Sequence, residues 1–288
     1  MKNLTLNKIL TSNFFYNQRL TNDFHIKWAS NKDKKFWYWI VQQYNFFLKH
    51  NSRKQIVAKK IHQIWLGSKI PKKYKQWIDS LKKFNPDYEY CLWDEKKILK
   101  LDLINRKQFI DAKNYGVKSD IARYEILYKF GGIYLDTDFE PLKKFNKKIL
   151  TFPFIAGLMF SNSPQIANGF IIASKGSAIL RLIINNLPSF PKNYLIANQI
   201  LNYSGPLYLT RIIKENAKKF KDIIILPSQY FYPWPNFLIS NKDKRYSYVT
   251  NKTILIHHWH VSWMQISLIK KILLFIKKKI HEYSAKLI

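Results

Sequence analysis

Residues 119–142 read SDIARYEILYKFGGIYLDTDFEPL and are the most informative part of the sequence. A helix is predicted between Ser119, which can cap its N-terminus, and Gly131, which can end it. The letters GIYLDTD then predict a strand in which Asp136 and Asp138 stand two positions apart, so both carboxylates project to one side at its carboxyl end. Because open α/β sheets bind ligands at that edge, the stretch predicts an α/β fold with a binding site there.

The two aspartates favour a metal site. Carboxylates that converge repel each other unless a cation or a hydrogen-bond donor compensates them. Mg²⁺ and Mn²⁺ prefer oxygen ligands and often complete their shells with phosphate oxygens of a substrate. The alternative is that Asp136 and Asp138 only cap a turn before Pro141. Their position after Gly131, Gly132 and a buried strand favours the metal instead.

Strand and helix patterns alternate on both sides of this stretch. IHQIWLG (61–67) predicts a buried strand, residues 72–84 a helix, and YEYCLW (88–93) a second strand. This order implies parallel strands joined by right-handed crossovers. FIAGLMF, GFIIAS, DIIILP and TILIHH predict further strands, and residues 178–187 and 207–217 predict helices. The sheet is therefore expected to extend to about residue 260.

The composition indicates a folded, strongly basic protein. Hydrophobic residues make up 47% of the 288 residues, which excludes a disordered chain, and the net charge is +31. Such a charge attracts nucleic acid, anionic lipid or phosphorylated substrates. Because most of the basic residues are lysines, which lack the bidentate fork of arginine, a general enrichment of surface lysines with some attraction to membranes is favoured, and no nucleic acid is expected. A basic nucleic-acid-binding protein is the alternative from another class.

Processing and redox signals point to the cytosol. The single cysteine, Cys91, cannot form an internal disulfide, which suits a reducing compartment. No run approaches the ~20 apolar residues of a membrane-spanning helix, and the polar start MKNLTLNKIL does not resemble a signal peptide. We therefore expect neither a transmembrane anchor nor secretion.

Four ordered motifs resemble those of the family 32 glycosyltransferases, the Asp-x-Asp sugar-transferase group related to the glucosyltransferase domains of large bacterial toxins. The motifs are IHQIWLG (61–67), PDYEYCLWDE (86–95), SDIARYEILYKFGGIYLDTD (119–138) and IHHWHVSW (256–263), with SGPLYLT (204–210) before the last. The resemblance covers about residues 60–263. It implies a GT-A-type nucleotide-sugar-binding domain, α/β in class, with a mixed, mainly parallel central sheet and flanking helices.

The resemblance also implies roles for individual residues. Trp65 would stack on the base of the donor, although a core tryptophan is the alternative. Asp120 would bind the ribose or the donor sugar with Arg123 beside it, whereas a surface ion pair would be worth only about 0.3 kcal/mol. Asp138 would ligate the metal directly, and Asp136 would reach both the metal and the donor. The predicted donor-binding residues are Ile64, Trp65, Asp120, Arg123, Asp136, Asn168, Ser262 and Trp263, and the predicted catalytic residues are Asp136, Asp138 and Arg123.

The resemblance implies that the motif IHHWHVSW supplies a further metal ligand, and the alternative is that its histidines only end a strand against the core. Imidazole suits Mn²⁺ better than Mg²⁺, so the predicted cofactor is Mn²⁺, with Mg²⁺ as the alternative. In an alternating strand His257 and His258 point to opposite faces, and the sequence does not say which face lines the site. We favour His258, so the predicted metal ligands are Asp138, Asp136 and His258. Ser262 and Trp263 would close over the diphosphate.

The two aspartates predict a metal-dependent transferase, and the resemblance implies that it retains the anomeric configuration. It would move a hexose from a nucleotide-sugar, with a UDP-hexose favoured, to a hydroxyl of a glycan or a lipid-linked glycan in surface polysaccharide synthesis. A GDP-mannose-dependent mannosyltransferase of the same fold is the alternative donor assignment. An inactive scaffold of this fold is a further alternative, against which the intact Asp136 and Asp138 argue.

Three segments are predicted along the chain: residues 1–55, an aromatic-rich helical segment; residues 56–263, the catalytic domain; and residues 264–288, a basic amphipathic helix. In the last segment apolar residues recur at spacings of three and four beside clustered lysines. Such a helix can lie in an anionic membrane interface, or pack on the domain or on a second subunit. We expect peripheral association with the cytoplasmic face of the membrane.

Overall fold

The strands lie in two sheets in the computed structural model, which describes residues 14, 31–50, 54–161, 164–189, 197–220, 222–239 and 242–260. In chain order the strands are β1 (Lys60–Ile64), β2 (Glu89–Trp93), β3 (Gly132–Leu135), β4 (Phe139–Pro141), β5 (Phe154–Leu158), β6 (Ile166–Ala173), β7 (Ile223–Leu226) and β8 (Leu255–His257). The central sheet has the order β2-β1-β3-β6-β5-β7, and β4 pairs with β8 in a small second sheet.

The central sheet is mixed and mainly parallel. β1 runs parallel to both β2 and β3, and β5 runs parallel to β7, whereas β6 is antiparallel to its neighbours β3 and β5. Every residue of β6 and β7 is buried, as expected for apolar strands that are covered on both faces. The predicted α/β class with a mixed, mainly parallel sheet is confirmed.

Helices flank the sheet. They are α1 (Asn31–Lys49), α2 (Lys72–Phe84), α3 (Glu95–Leu99), α4 (Arg106–Asp111), α5 (Tyr115–Phe130), α6 (Ala178–Asn185), α7 (Ala197–Tyr203) and α8 (Pro206–Asn216). The aromatic stripe of α1, which includes Phe36, Tyr44 and Phe47, is buried in the core, and α1 packs against β7. The stripe is therefore a packing surface. Among the described helices, none combines the length and apolar character that a membrane span requires.

Helix α5 begins earlier than predicted. Its N-cap is Asn114, whose Oδ1 accepts hydrogen bonds from the backbone N–H groups of Gly116 (2.7 Å) and Val117 (3.3 Å). Asparagine caps helices as well as serine does, so a helix that begins after Asn114 is also compatible with the sequence. Ser119 is thus an internal residue of the helix. Gly131 ends α5 as predicted, with a φ of 65° that favours glycine.

The last described strand, β8, does not belong to the central sheet. The expectation that this sheet extends to about residue 260 is therefore wrong. β8 pairs antiparallel with β4, and Phe139 lies opposite His257. β4 follows the Asp-x-Asp segment directly, so its partner strand is brought beside the two aspartates. Ser262, Trp263 and the predicted helix at 264–288 lie outside the described residues.

Candidate active site

A cleft of about 730 Å³ opens at the edge of the sheet where β1 and β3 end and β6 begins. Its volume is in the range of sites that bind ligands of nucleotide size. The polar and aromatic side chains that line it include Trp65, Tyr74, Asp120, Arg123, Asp136, Asp138, Asn168, Tyr232, His257, Trp259 and His260. The edge predicted from the Asp-x-Asp segment is therefore the edge that carries the cleft.

Asp120 lies in a buried polar network on one wall of this cleft. Its Oδ1 accepts a hydrogen bond from Asn168 Nδ2 at 2.8 Å, and its Oδ2 accepts one from Ser204 Oγ at 2.9 Å. Arg123 Nη2 lies 3.2 Å from Oδ1. Burial raises the pKa of Asp120 to about 6, although Arg123 lowers it. Both members of this pair are buried, so the alternative of a solvent-exposed ion pair is wrong.

Arg123 joins this network to Asp136. Its Nη2 also lies 3.2 Å from Asp136 Oδ1, and its Nη1 donates to the backbone oxygen of Asn168 at 2.7 Å. Tyr134 Oη donates to the same Asp136 oxygen at 2.7 Å. Because these contacts engage Oδ1, they fix the orientation of the Asp136 carboxylate, whose Oδ2 faces the second aspartate and a histidine. Gly169 leaves room for it, since a Cβ there would lie 2.6 Å from Oδ2.

Asp136, Asp138 and His257 form a compact cluster. His257 Nε2 lies 3.2 Å from Asp138 Oδ1 and 3.8 Å from Asp136 Oδ2, and the backbone N–H of His260 donates to Asp138 Oδ2 at 2.7 Å. Burial alone would raise the pKa of Asp138, but the contact with His257 outweighs it and lowers that pKa. Burial lowers the pKa of His257, but Asp138 and Asp136 outweigh it and raise that pKa to about 9.

The donor set of this cluster fits a divalent metal ion. One ligand atom from each of Asp136, Asp138 and His257 can be chosen so that all three lie within 4.8 Å of one another. Two carboxylate oxygens and one imidazole nitrogen suit Mn²⁺, and the carboxylates also suit Mg²⁺. The protonated imidazole supplies the positive charge between the carboxylates when no cation does. The second nitrogen of this ring, Nδ1, is buried and has no hydrogen-bond partner among the described residues.

The preference for His258 as the metal-ligating histidine is corrected to His257. His258 Nε2 contacts Glu140 Oε2 at 2.8 Å, Arg245 Nη1 contacts its Nδ1 at 2.7 Å, and its ring stacks on Trp77. Successive residues of a strand face opposite sides, so only one of the two histidines can reach the cleft. The pairing of β8 with β4 turns His257 toward the cleft. His258 points away from the cleft, and its contacts there hold the end of β8 in place.

The remaining predicted donor-binding residues share this cleft. Ile64 and Trp65 line it at the end of β1, and the Trp65 ring lies 5.0 Å from that of Tyr74. Asn168 lines it at the start of β6. The structure thus brings Ile64, Trp65, Asp120, Arg123, Asp136 and Asn168 together, and their binding roles remain predictions.

Sequence reasoning missed several residues of the site. Ser204, the first residue of the SGPLYLT segment, is buried behind the cleft and reaches Asp120 from the turn before α8. Tyr232 and Trp259 form an aromatic wall beside His257, with ring centroids 5.4 Å and 4.4 Å from the imidazole. Trp259 belongs to a motif that was singled out, but nothing in its spacing showed that its ring would reach the cleft.

Comparison with known families bears on this geometry. Residues 71–153 match the model of the glycosyltransferase sugar-binding region containing a DXD motif, and the match ends just after β4 and the Asp-x-Asp segment. The chain carries a DXD glycosyltransferase region. The expected resemblance is confirmed, and the matched region supports the expected transferase class. Both aspartates of the DXD segment, Asp136 and Asp138, line the cleft.

Relatives of this chain include enzymes named for lipid substrates. Inositol phosphoceramide mannosyltransferase 3 of Schizosaccharomyces pombe is 32% identical over 168 residues, which are 57% of this chain and 46% of that protein. Lactosylceramide 4-alpha-galactosyltransferase of Mus musculus is 30% identical over 158 residues, 50% of this chain and 41% of that protein. The chain thus spans about half the length of these curated relatives.

One solved structure with a similar fold is the UDP-bound glycosyltransferase domain of the YGT toxin. It shares 10% sequence identity with this chain at a TM-score of 0.46, over 69% of this chain and 88% of that domain.

Proposed function

We propose that this chain transfers a hexose from a nucleoside diphosphate hexose to a hydroxyl of a glycan or glycolipid, in a reaction that depends on a divalent metal. The observation that carries the proposal is the convergence of Asp136, Asp138 and His257 in a cleft that also contains the Asp120–Arg123 network. The cluster suits a metal-bound diphosphate, and the network next to it suits the hydroxyls of a sugar.

The donor would lie across the cleft from Trp65 to Asp120. Trp65 is partly exposed in the cleft and offers a flat ring on which a base can stack. Asp120 and Asn168 present polar atoms that are already oriented by their mutual hydrogen bond, which lowers the cost of ordering them on binding. Arg123 stays positively charged, because Asp136, Tyr134 and Asp120 together raise its pKa despite its burial.

Asp136, Asp138 and His257 would hold Mn²⁺ or Mg²⁺. When bound, the ion stabilises the negative charge that develops on the leaving diphosphate. Arg123, through its contact with Asp136, holds that carboxylate in place and adds positive charge close to the same position. The backbone N–H of His260 orients Asp138 in the same way from the other side.

We propose that the anomeric configuration of the sugar is retained. Within the described lining of the cleft, the carboxylates are Asp120, Asp136 and Asp138, and each one is engaged by hydrogen bonds or by the histidine. Retention is what the resemblance to the family 32 glycosyltransferases implies, and these contacts single out no carboxylate as the nucleophile of a double displacement. We therefore propose a front-face substitution, in which the bond to the diphosphate breaks as the acceptor oxygen bonds to the sugar and the diphosphate accepts the proton of the acceptor hydroxyl. NMR of the product anomeric proton tests this, and an inverted product would contradict it.

The acceptor is proposed to be lipid-linked, as in surface polysaccharide or glycolipid synthesis. The relatives named for inositol phosphoceramide and lactosylceramide support a lipid-linked acceptor. We also propose peripheral association with the cytoplasmic face of the membrane through residues 264–288, which are rich in lysine. Sedimentation with liposomes tests this. Equal binding to neutral and anionic vesicles, or binding that survives truncation after Trp263, would contradict it.

A thermal-shift screen of UDP- and GDP-hexoses, with and without Mn²⁺, tests the donor. A ligand at 100 times its Kd stabilises the folded state by about 2.7 kcal/mol, which shifts the melting temperature measurably. We expect a UDP-hexose to give the largest Mn²⁺-dependent shift. A larger shift with GDP-mannose would instead support the mannosyltransferase assignment, which the name of the Schizosaccharomyces pombe relative favours. No shift with any nucleotide-sugar would contradict the proposed function.

A further inference from the structure

The cleft has three walls that meet at the Asp136–Asp138–His257 cluster. On the first, Arg123 contacts both Asp136 Oδ1 and Asp120. On the second, the backbone N–H of His260 donates to Asp138 Oδ2. The His260 ring lies 5.7 Å from that of Tyr74, which in turn contacts the Trp65 ring. The proposed donor occupies these two walls. The third wall begins at His257. Apart from His257 itself, the proposed function assigns no role to the residues of this wall.

Trp259 dominates this third wall. Its ring meets the His257 ring edge to face at 4.4 Å between centroids, and it lies 5.5 Å from the ring of Tyr232. The indole Nε1–H donates to the backbone oxygen of Trp234 at 2.9 Å, which fixes the plane of the ring. Trp259 is partly exposed where it lines the cleft, and Ile239, 37% exposed, lines the same cleft.

The backbone of Trp259 is held in an unfavourable conformation. Its φ is 55°, and among the described residues it is the one non-glycine residue with a positive φ. A bulky aromatic residue rarely adopts this left-handed conformation, and such strained residues cluster at functional sites. The turn at Trp259 allows His257 and the indole to face the cleft together while the next N–H, that of His260, reaches Asp138.

We propose that Trp259 forms the acceptor subsite, an aromatic surface on which a hexopyranose ring of the acceptor stacks. The proposal rests on the proposed transferase function. A pyranose ring carries C–H groups on one face and hydroxyls at its edge, and the face of an indole attracts such C–H groups while it excludes water from them. Trp259 adjoins His257, so a ring stacked there holds its hydroxyls next to the metal cluster.

Saturation-transfer NMR can test this subsite without knowledge of the natural acceptor. The probes are methyl α-D-glucopyranoside, methyl α-D-galactopyranoside and methyl α-D-mannopyranoside, each measured with the protein, Mg²⁺ and UDP. We expect at least one to receive saturation mainly on the C–H groups of one ring face. Trp259→Leu keeps an apolar side chain but removes the aromatic face, and should weaken this binding about tenfold or more, the scale of losing one stacking surface. Trp259→Phe should retain most of it.

The matched control is Trp39→Leu, since Trp39 lies on α1 and does not line the cleft. This variant should bind the glycosides as the unmodified protein does. Saturation of the nucleotide protons of a UDP- or GDP-hexose, measured with each variant, should be unchanged in Trp259→Leu. If glycoside and nucleotide signals fall together, Trp259 only supports His257 and the proposal is wrong.

Two further outcomes separate this inference from the function on which it rests. If the unmodified protein binds a nucleotide-sugar but none of the glycosides, or if Trp259→Leu binds them equally well, the acceptor subsite is wrong and the proposed function stands. If the unmodified protein binds no nucleotide-sugar, the proposed function itself is wrong.

Discussion

Replacing Asp120 with asparagine should change how the stability of the protein depends on pH. Asp120 is buried between Arg123, Asn168 and Ser204. Burial raises the pKa of its carboxyl group from 3.8 to about 6 in the folded protein. The folded state therefore holds this proton more tightly than the unfolded chain does. Asparagine removes the titration but keeps an oxygen that can accept from Asn168.

The size of the effect follows from the two pKa values. A difference of about 2 units, at about 1.4 kcal/mol per unit, gives about 3 kcal/mol. This contribution is fully present below the unfolded pKa of Asp120 and is lost as the pH rises through the folded pKa. About 2 kcal/mol of it should disappear between about pH 4.5 and about pH 7.5. Over this range the unfolding free energy of the unmodified protein should fall relative to that of Asp120→Asn.

Urea unfolding of both proteins across this range measures the difference. Asp111→Asn is the control, because Asp111 is a partly exposed residue that pairs with Lys107 away from the cleft. The difference between this control and the unmodified protein should not vary by more than about 0.5 kcal/mol over the same range. If the stability difference between Asp120→Asn and the unmodified protein stays constant, or changes in the opposite direction, Asp120 is ionised at low pH and the reasoning fails.

Four other substitutions follow from the contacts of the site and of Gly131, which ends α5. His257→Asn should weaken Mn²⁺ binding about 100-fold or more, because it removes a ligand. His258→Asn should lower the melting temperature, because it loses the contact with Glu140, and should change the Mn²⁺ affinity far less. Mn²⁺ titration and thermal melting of both variants check this. Gly169→Ala places a Cβ 2.6 Å from Asp136 Oδ2, so it should displace the carboxylate and reduce donor turnover about tenfold or more, as nucleotide release would report. Gly131→Ala combines a φ of 65° with a Cβ 2.7 Å from the Lys175 backbone nitrogen, and should cost about 1–3 kcal/mol in urea unfolding.

Local patterns predicted most of the elements of the fold. The apolar runs that became β5, β6 and β7 are continuous because these strands are buried on both faces, and such runs are visible without tertiary information. Helix α2 begins and ends where its pattern predicted. The start of α5 was wrong because Asn114 and Ser119 are both good caps, and only the surrounding structure selects between them.

The site was predictable where its residues lie close together in the sequence. The expectation that the strand runs through Asp138 is wrong, because β3 ends at Leu135 and Asp136 and Asp138 lie in the turn between β3 and β4. Asp120 and Arg123 share a helix face, as their spacing predicted. The choice between His257 and His258 depends on the pairing of β8 with β4, which joins distant parts of the chain. Ser204 and His260 reach the carboxylates through turns whose geometry no periodicity encodes.

The most direct test of the central claim is a Mn²⁺ titration followed by electron paramagnetic resonance, which reports free Mn²⁺, with and without UDP. The unmodified protein should bind one Mn²⁺, more tightly when UDP is present, because the diphosphate completes the shell offered by Asp136, Asp138 and His257. Asp138→Asn should lose this binding, and Asp111→Asn should keep it. Equal Mn²⁺ binding by the unmodified protein and Asp138→Asn would contradict the assignment of the cluster as the metal site of the proposed transferase.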